Sequence, residues 1–138
     1  MTTDTNRRQF LQHSATTTTA VAATGIVGAH AAGKPQSKTV RLGIIGCGGI
    51  MGHHVTGLVQ RREDVHFSWL CDVDPRQIRA KQAIIGNFQS NAPRTTQKFE
   101  DVLDDSNVDA VIIATPHHWH APIGLPALAQ GKDVYVEK

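Results

Sequence analysis

Residues 40–52 decide the fold of this chain. They read Val40-Arg41-Leu42-Gly43-Ile44-Ile45, then Gly46-Cys47-Gly48-Gly49-Ile50-Met51-Gly52. A short, nearly continuous apolar run that ends in glycines is typical of a strand buried on both faces of a parallel sheet. The apolar positions between Ile50 and Arg61 recur at helical spacing, which predicts a helix there. The segment is therefore interpreted as strand, glycine turn and helix.

The glycine turn has the composition of a dinucleotide-binding loop. Gly46 would allow the sharp turn, and Gly48 would let the backbone approach a pyrophosphate that a Cβ atom would repel. The helix that follows offers unpaired N–H groups and the positive end of its dipole to phosphate. The third glycine of a GxGxxG pattern would fall at position 51, where Met51 stands, and Gly52 comes one residue later. This departure predicts relaxed or shifted packing of the helix on the strand.

An acidic residue follows the second predicted strand, Val65 to Cys71. Asp72 stands 26 residues after Gly46, where a carboxylate can accept hydrogen bonds from the hydroxyls of the adenosine ribose. Such a carboxylate repels a 2′-phosphate and so favours NAD over NADP. Asp74 competes for this role but precedes Pro75, which favours a helix cap. Arg76 and Arg79 could tolerate a phosphate, so NADP stays open as an alternative.

Strands and helices are predicted to alternate through the rest of the chain. The predicted helices span 75–85, 99–103 and 120–130, and the predicted strands span 95–98, 110–114 and 134–136. Alternation with short connections implies a parallel sheet covered on both faces. The predicted fold class is α/β, a doubly wound parallel sheet of the Rossmann type.

A histidine-rich turn follows the strand that begins at Ala110. It reads Thr115-Pro116-His117-His118-Trp119-His120 and should face the crevice at the carboxyl ends of the strands. Adjacent imidazoles rarely reach one ion, and no partnering cysteine or carboxylate is near in sequence, so no metal is assigned. The histidines are interpreted as facing solvent or a cofactor.

The first residues resemble an export signal. Residues 1–31 contain a polar start with Arg7-Arg8, a mildly apolar Ala/Thr-rich middle, and the small-residue exit Ala29-His30-Ala31. Arg7-Arg8-Gln9-Phe10-Leu11 resembles the twin-arginine motif, which predicts a periplasmic or otherwise exported protein. A disordered Thr/Ala-rich tail is the alternative. Residues 32–38 would be a linker, and residues 39–138 the folded domain.

Composition excludes several classes of function. The chain has 138 residues and a formal net charge of +2. Residues 1–38 carry a balance of +3 and the remainder −1, so the folded part has no basic stripe for nucleic acid. No run of 18 apolar residues predicts a membrane span, so no membrane anchoring is expected after signal cleavage. Cys47 and Cys71 are interpreted as two small buried thiols in preference to a disulfide.

Four segments together resemble the Gfo/Idh/MocA family, named for glucose–fructose oxidoreductase and inositol dehydrogenase. They are the glycine turn, Cys71-Asp72-Val73-Asp74-Pro75, the turn at residues 114–120, and Gly131-Lys132-Asp133-Val134-Tyr135-Val136-Glu137-Lys138. The resemblance spans roughly residues 38–138. In the family a proline follows Glu-Lys, whereas these 138 residues stop at Lys138. The resemblance therefore implies a following α/β substrate domain that this stretch does not include.

The resemblance also implies roles for individual residues. Lys138 would be the catalytic residue beside the nicotinamide, where a cation favours the alkoxide that develops as hydride leaves. The residues that would contact the cofactor are Gly46, Gly48, Gly49, Ile50, Asp72, Thr115, Pro116, His120 and Glu137.

The expected function is that of the NAD-binding half of an oxidoreductase that moves hydride between a nicotinamide cofactor and a sugar or polyol. A homo-oligomer would form through the substrate domain. Two alternatives stay open: a catalytically inactive nucleotide-binding fragment, and a sensor module without chemistry.

Overall fold

The computed structural model describes residues 39–138, in which strands and helices alternate. The strands are β1 (Val40–Ile45), β2 (Val65–Cys71), β3 (Arg94–Thr96), β4 (Ala110–Ile113) and β5 (Asp133–Val136). The helices are α1 (Gly49–Val59), α2 (Pro75–Ile85), α3 (Phe99–Asp104) and α4 (His120–Ala129), with a 3-10 turn at His117–Trp119 before α4. The predicted alternation is confirmed.

The strands form a parallel sheet in the order β3-β2-β1-β4-β5. The chain moves outward from β1 through β2 to β3, then returns to the other side of β1 as β4. The strand order therefore reverses between β1 and β4, and in open α/β sheets ligands bind at the carboxyl ends of the strands beside such a point. The predicted doubly wound Rossmann-type class is confirmed.

Helices cover both faces of the sheet. Helices α1 and α2 bury Met51, Val55 and Ile78 on one face, with Leu42 and Ile44 of β1. The other face contains the following buried residues of β1, α3, β4 and α4: Ile45, Val102, Leu103, Val111, Ile113, Ile123 and Ala127. Apolar side chains on both faces account for the nearly continuous apolar sequence of β1 and β4.

Helix α1 packs on the sheet without a glycine at the third position of the pattern. Met51, at the position of the third glycine, is fully buried, so α1 packs on the sheet through a large side chain. On the opposite face, a Cβ atom at Gly43 would lie 2.5 Å from Cγ1 of Val102. Gly43 is therefore the residue that lets α3 lie close to β1.

Several predicted boundaries were wrong by one or two residues. The third strand was predicted over 95–98 but ends at Thr96, because the Thr96 hydroxyl accepts the Lys98 N–H at 3.0 Å and turns the chain into α3. Helix α1 ends at Val59, where residue 61 was predicted. The 3-10 turn was not predicted; in it the Trp119 N–H donates to the Pro116 carbonyl at 2.9 Å.

The predicted signal peptide (1–31) and linker (32–38) lie outside the described residues. Within residues 39–138, none of the helices combines the length and the apolar character that crossing a membrane requires.

Candidate nucleotide-binding site

The turn after β1 requires a glycine at position 46. Gly46 has a φ of +91°, and a Cβ atom there would lie 2.6 Å from the carbonyl oxygen of Ala114. Its N–H donates to the Cys71 carbonyl at 2.8 Å. The turn is thus held between the ends of β2 and β4, and a side chain would collide with backbone.

The amino end of α1 opens onto free space. Among residues 39–138, no atom lies within 4 Å of a Cβ atom placed at Gly48 or Gly49. No side chain of the described part of the chain caps this helix end, so its first N–H groups keep their capacity to bind an anion. Ile50, in the same turn, is 46% exposed although apolar. This arrangement suits a pyrophosphate, which needs both the space and the donors.

Asp72 fixes the glycine turn. One carboxylate oxygen accepts the Cys47 N–H at 2.7 Å, and the other accepts the Asp74 N–H at 2.8 Å. A carboxylate has about four acceptor positions, so the side chain can hold the turn and still accept from ribose hydroxyls. The sequence predicted the second role and missed the first.

Asp74 caps α2, as predicted. Its carboxylate accepts the Arg76 N–H at 2.9 Å and forms an ion pair with the Arg76 guanidinium at 2.9 Å. The bond to Arg76 holds the pKa of Asp74 below its usual value. Arg76 is therefore engaged by a carboxylate, and Arg79 lines a cavity between α2 and β3.

The turn after β4 begins with a buried hydroxyl, that of Thr115. Thr115 Oγ1 is the one buried side-chain polar atom among residues 39–138 that has no hydrogen-bond partner. Buried polar groups are nearly always paired, so an unpartnered hydroxyl beside Gly46 fits a site that receives a polar ligand. Pro116, next in the chain, is exposed and begins the 3-10 turn.

His120 is tied to this turn. Its Nε2 lies 2.8 Å from the Thr115 carbonyl oxygen, and because a carbonyl only accepts, Nε2 carries the proton. Its ring meets that of His117 edge-on, with centroids 5.2 Å apart. His117 and His118 are exposed, and no cluster of three potential metal ligands occurs within residues 39–138.

Glu137 is the most extensively bonded of the predicted site residues. Its N–H donates to the Ile113 carbonyl at 2.9 Å. Its carboxylate lies 2.6 Å from His54 Nε2 and accepts from the Tyr135 hydroxyl at 3.2 Å and the Lys138 N–H at 3.1 Å. The bond to His54 is the main reason that the pKa of Glu137 is lowered. The Lys138 side chain is exposed at the same end of the sheet.

His54 is the residue that the sequence did not reveal. Its partner lies 83 positions further along the chain, so no local spacing links the two. The adjacent pair His53-His54 in a glycine-rich helix was the one visible signal, and it does not say which ring is used.

The two cysteines are free and buried, as predicted. Burial raises the pKa of both Cys47 and Cys71 to about 12. Both thiols are therefore protonated near neutral pH and serve as packing groups at the ends of β1 and β2.

The fold and the site together define a dinucleotide-binding domain. The space at Gly48 and Gly49, the free helix end, the Asp72 carboxylate and the unpartnered Thr115 hydroxyl fit a nicotinamide dinucleotide. Residues 40–138 match the family described as "Oxidoreductase family, NAD-binding Rossmann fold", Gfo/Idh/MocA.

Relatives and solved structures agree with this match. A "Glycosyl hydrolase family 109 protein" of Stenotrophomonas maltophilia is 32% identical over 95% of this chain and 29% of its own length. The inositol 2-dehydrogenase of Corynebacterium glutamicum is 33% identical over 75% of this chain and 29% of its own length. Scyllo-inositol dehydrogenase of Lactobacillus casei, solved with NAD(H) and scyllo-inositol, superimposes with a TM-score of 0.64 at 26% identity, covering 73% of this chain and 28% of that one.

A fourth similarity is to the WlbA dehydrogenase of Bordetella pertussis, solved with NADH and UDP-GlcNAcA. Its TM-score is 0.63 at 28% identity, over 72% of this chain and 29% of that one. The chain thus spans less than a third of each of these proteins. It belongs to the Gfo/Idh/MocA oxidoreductase family, and residues 40–138 are its NAD-binding Rossmann domain.

Proposed function

We propose that this chain carries the cofactor domain of an oxidoreductase that transfers hydride between NAD and a sugar or polyol. The observation that carries the proposal is the placement of Glu137-Lys138 after β5. This puts a lysine at the same end of the sheet as the Gly46 turn and the Thr115 hydroxyl. Relatives named for inositol oxidation support the substrate class.

The residues of the chain have separable roles in this reaction. The turn at Gly46 and the open end of α1 bind the pyrophosphate, and Asp72 binds the adenosine ribose while holding the turn. The bound nicotinamide supplies the hydride acceptor. As the substrate carbon gives its hydride to the nicotinamide, the substrate hydroxyl gives its proton to a general base. The Lys138 ammonium stabilises the negative charge that the substrate oxygen carries when this proton leaves, which is a differential interaction with the transition state.

The test uses the protein with any chain that follows Lys138 in its gene. It is incubated with NAD and a panel of sugars and polyols, and NADH formation is followed by absorbance. The Lys138→Ala variant should lose about 100-fold or more in kcat and keep its affinity for NADH. The matched control is Lys98→Ala, an exposed lysine, which should keep full activity.

The outcomes separate the alternatives. NADH binding without turnover of any substrate would favour the sensor or inactive module and contradict the proposal. Unchanged kcat in Lys138→Ala would remove the lysine from the reaction.

A second candidate function is glycoside cleavage. It is favoured by the relatives named for glycosyl hydrolase family 109, which match 95% or more of this chain in several species. Cleavage by water involves no net oxidation. Release of a chromogenic leaving group from an aryl glycoside, with NAD required and no NADH accumulating, would therefore distinguish it from dehydrogenation.

We also propose that the protein is exported through the twin-arginine route. The support is the segment Arg7-Arg8-Gln9-Phe10-Leu11 and the small-residue exit near Ala31. Because free NAD is scarce outside the cytoplasm, the exported protein would keep its cofactor tightly bound. Residues 1–38 fused to a reporter should direct it to the periplasm, and the Arg7→Lys, Arg8→Lys double variant should retain it in the cytoplasm. Equal export of both fusions would contradict the route, and rapid loss of nucleotide on dialysis would contradict the tight binding.

A further inference from the structure

Helix α1 contacts the end of β5 through the side chain of His54. His54, in the second turn of α1, lies with Nε2 2.6 Å from Oε2 of Glu137. Both side chains are largely buried, with 27% and 14% of their surface exposed. The two elements belong to different parts of the sheet, since β4 lies between β1 and β5. The contact therefore spans the place between β1 and β4 where the strand order reverses.

The Glu137 carboxylate transmits this contact to the backbone of Lys138. While Oε2 faces His54 and the Tyr135 hydroxyl, Oε1 accepts the Lys138 N–H at 3.1 Å. The Glu137 N–H in turn donates to the Ile113 carbonyl, which fixes the residue to β4. One carboxylate oxygen of Glu137 is therefore engaged by His54 and Tyr135, and the other by the backbone of Lys138.

The neighbouring histidine shows that the contact is selective. His53 and His54 occupy adjacent positions of α1, but His53 is exposed and has no bonded partner within residues 39–138. The His54 ring also meets the Tyr135 ring edge-on, with centroids 5.6 Å apart. Two residues of the strand end therefore contact His54, which fixes the ring in both distance and direction.

We propose that His54 is a positioning residue that orients Lys138 through the Glu137 carboxylate. The catalytic consequence of this inference rests on the proposed function above. The helix whose amino end receives the pyrophosphate then also holds the strand end that carries the reacting lysine. A displacement of α1 relative to β5 would separate the ammonium from the hydride acceptor, and misplacement by about 1 Å can lower a rate by about 100-fold.

The first experiment compares three variants of the protein with any chain that follows Lys138. His54→Ala removes the contact, His54→Gln keeps an N–H donor near Glu137, and His53→Ala is the matched control. His54→Ala should lower kcat by about 100-fold while the KM for NAD changes by less than about threefold. His54→Gln should restore a large part of kcat, and His53→Ala should leave it unchanged. Equal kcat in His54→Ala and His53→Ala would overturn the proposal.

The second experiment measures the positioning of Lys138 without requiring turnover of a substrate. Amide exchange at Lys138, followed by NMR, should speed up about tenfold or more in His54→Ala, since the carboxylate that accepts this N–H is released. In the same variant the pKa of Glu137 should rise toward its ordinary value, as the bond to His54 is what mainly lowers it. His54→Phe, which keeps a ring against Tyr135 but has no donor for Glu137, serves both readouts if the alanine variant does not fold.

The two experiments distinguish a failure of the proposed function from a failure of the positioning role of His54. If even the unmodified protein oxidises no substrate, the proposed function fails, and the exchange and titration measurements still decide whether His54 positions Lys138. If exchange at Lys138 is the same in His54→Ala, His54→Gln and His53→Ala, the positioning role is wrong whatever the activity.

Discussion

The two ends of the sheet differ in how completely their polar groups are hydrogen-bonded. At the amino end, the loop before β4 forms a closed network around Asp105. The Asp105 carboxylate accepts from the Trp69 indole at 2.8 Å and from the Asn107 N–H at 2.8 Å. The buried Lys132 ammonium donates to the carbonyls of Asp105 and Val108 at 2.8 and 3.1 Å.

The carboxyl end has a polar group that is unpartnered within residues 39–138 and open space that a ligand can use. The Thr115 hydroxyl is buried without a partner among the described residues, and the positions of Gly48 and Gly49 face open space. Both ends are built on the same strands with the same core, so the difference does not come from the fold as such. It teaches that the amino end serves stability and the carboxyl end serves binding, and variants at the two ends should separate these properties.

Gly46→Ala should have the largest effect on stability. The left-handed backbone there is strained for alanine, and the new Cβ atom would lie 2.6 Å from the Ala114 carbonyl oxygen. Together these effects should lower the free energy of unfolding by about 3 kcal/mol. Urea denaturation measures it. Gly48→Ala is the control and should be neutral, because its Cβ atom meets nothing. Equal stability of the two variants would contradict the geometry of the turn.

Lys132→Met tests whether the hydrogen bonds at the amino end of the sheet contribute to stability and not to NADH binding. The apolar stem keeps its packing, but the carbonyls of Asp105 and Val108 lose a charged donor, which should lower the free energy of unfolding by about 2 kcal/mol. NADH affinity should stay within about twofold. Lys98→Met, at an exposed site, should change neither quantity. A large loss of NADH affinity in Lys132→Met would show that the two ends are not separable.

Thr115→Val should act in opposite directions on stability and binding. Without nucleotide, replacing an unpartnered buried hydroxyl by a methyl group should raise the free energy of unfolding by about 1 kcal/mol. NADH affinity should fall about fivefold, since one polar partner is lost. Thermal unfolding with and without NADH measures both. A loss of stability in the nucleotide-free protein would mean that the hydroxyl already has a partner.

Asp105→Asn should have the smallest effect, a loss of stability that is present at neutral pH and disappears in acid. The bond from the Trp69 indole is the main reason that the pKa of Asp105 lies below its usual value in the folded chain. The unfolded chain then binds more protons as the pH falls below about 4, so this contribution is present above that range and is lost below it. The variant should flatten the acid branch of the stability curve, whereas Asp133→Asn, at an exposed site, should not. Parallel acid branches in the wild type and Asp105→Asn would contradict this.

The sequence predicted those features that depend on local order. The apolar run at β1, the glycines after it, the Asp74-Pro75 cap and the alternation of elements are set by residues close together in the chain. The place of Asp72 after the second strand also predicted its role at the ribose, and the family resemblance, spread over four segments, added the expected roles of Thr115 and Lys138.

Features that depend on distant contacts could not be predicted. Three contacts join residues that are 25 to 83 positions apart. They are the bond between His54 and Glu137, the hydrogen bond from the Cys47 N–H to Asp72, and the close approach of Val102 to Gly43. Their partners become neighbours only when the sheet forms. The third strand was misplaced for a related reason, because a single hydroxyl of Thr96 ends it.

The central claim, that the carboxyl end of the sheet binds NAD through the glycine turn, is tested most directly by NADH titration of the wild type and Gly48→Val. A Cβ atom at position 48 meets no atom of residues 39–138 within 4 Å, so the melting temperature without nucleotide should stay the same. The same side chain would fill the space for the pyrophosphate, and NADH affinity should fall by about 100-fold or more. Equal NADH affinity in both proteins would contradict the account.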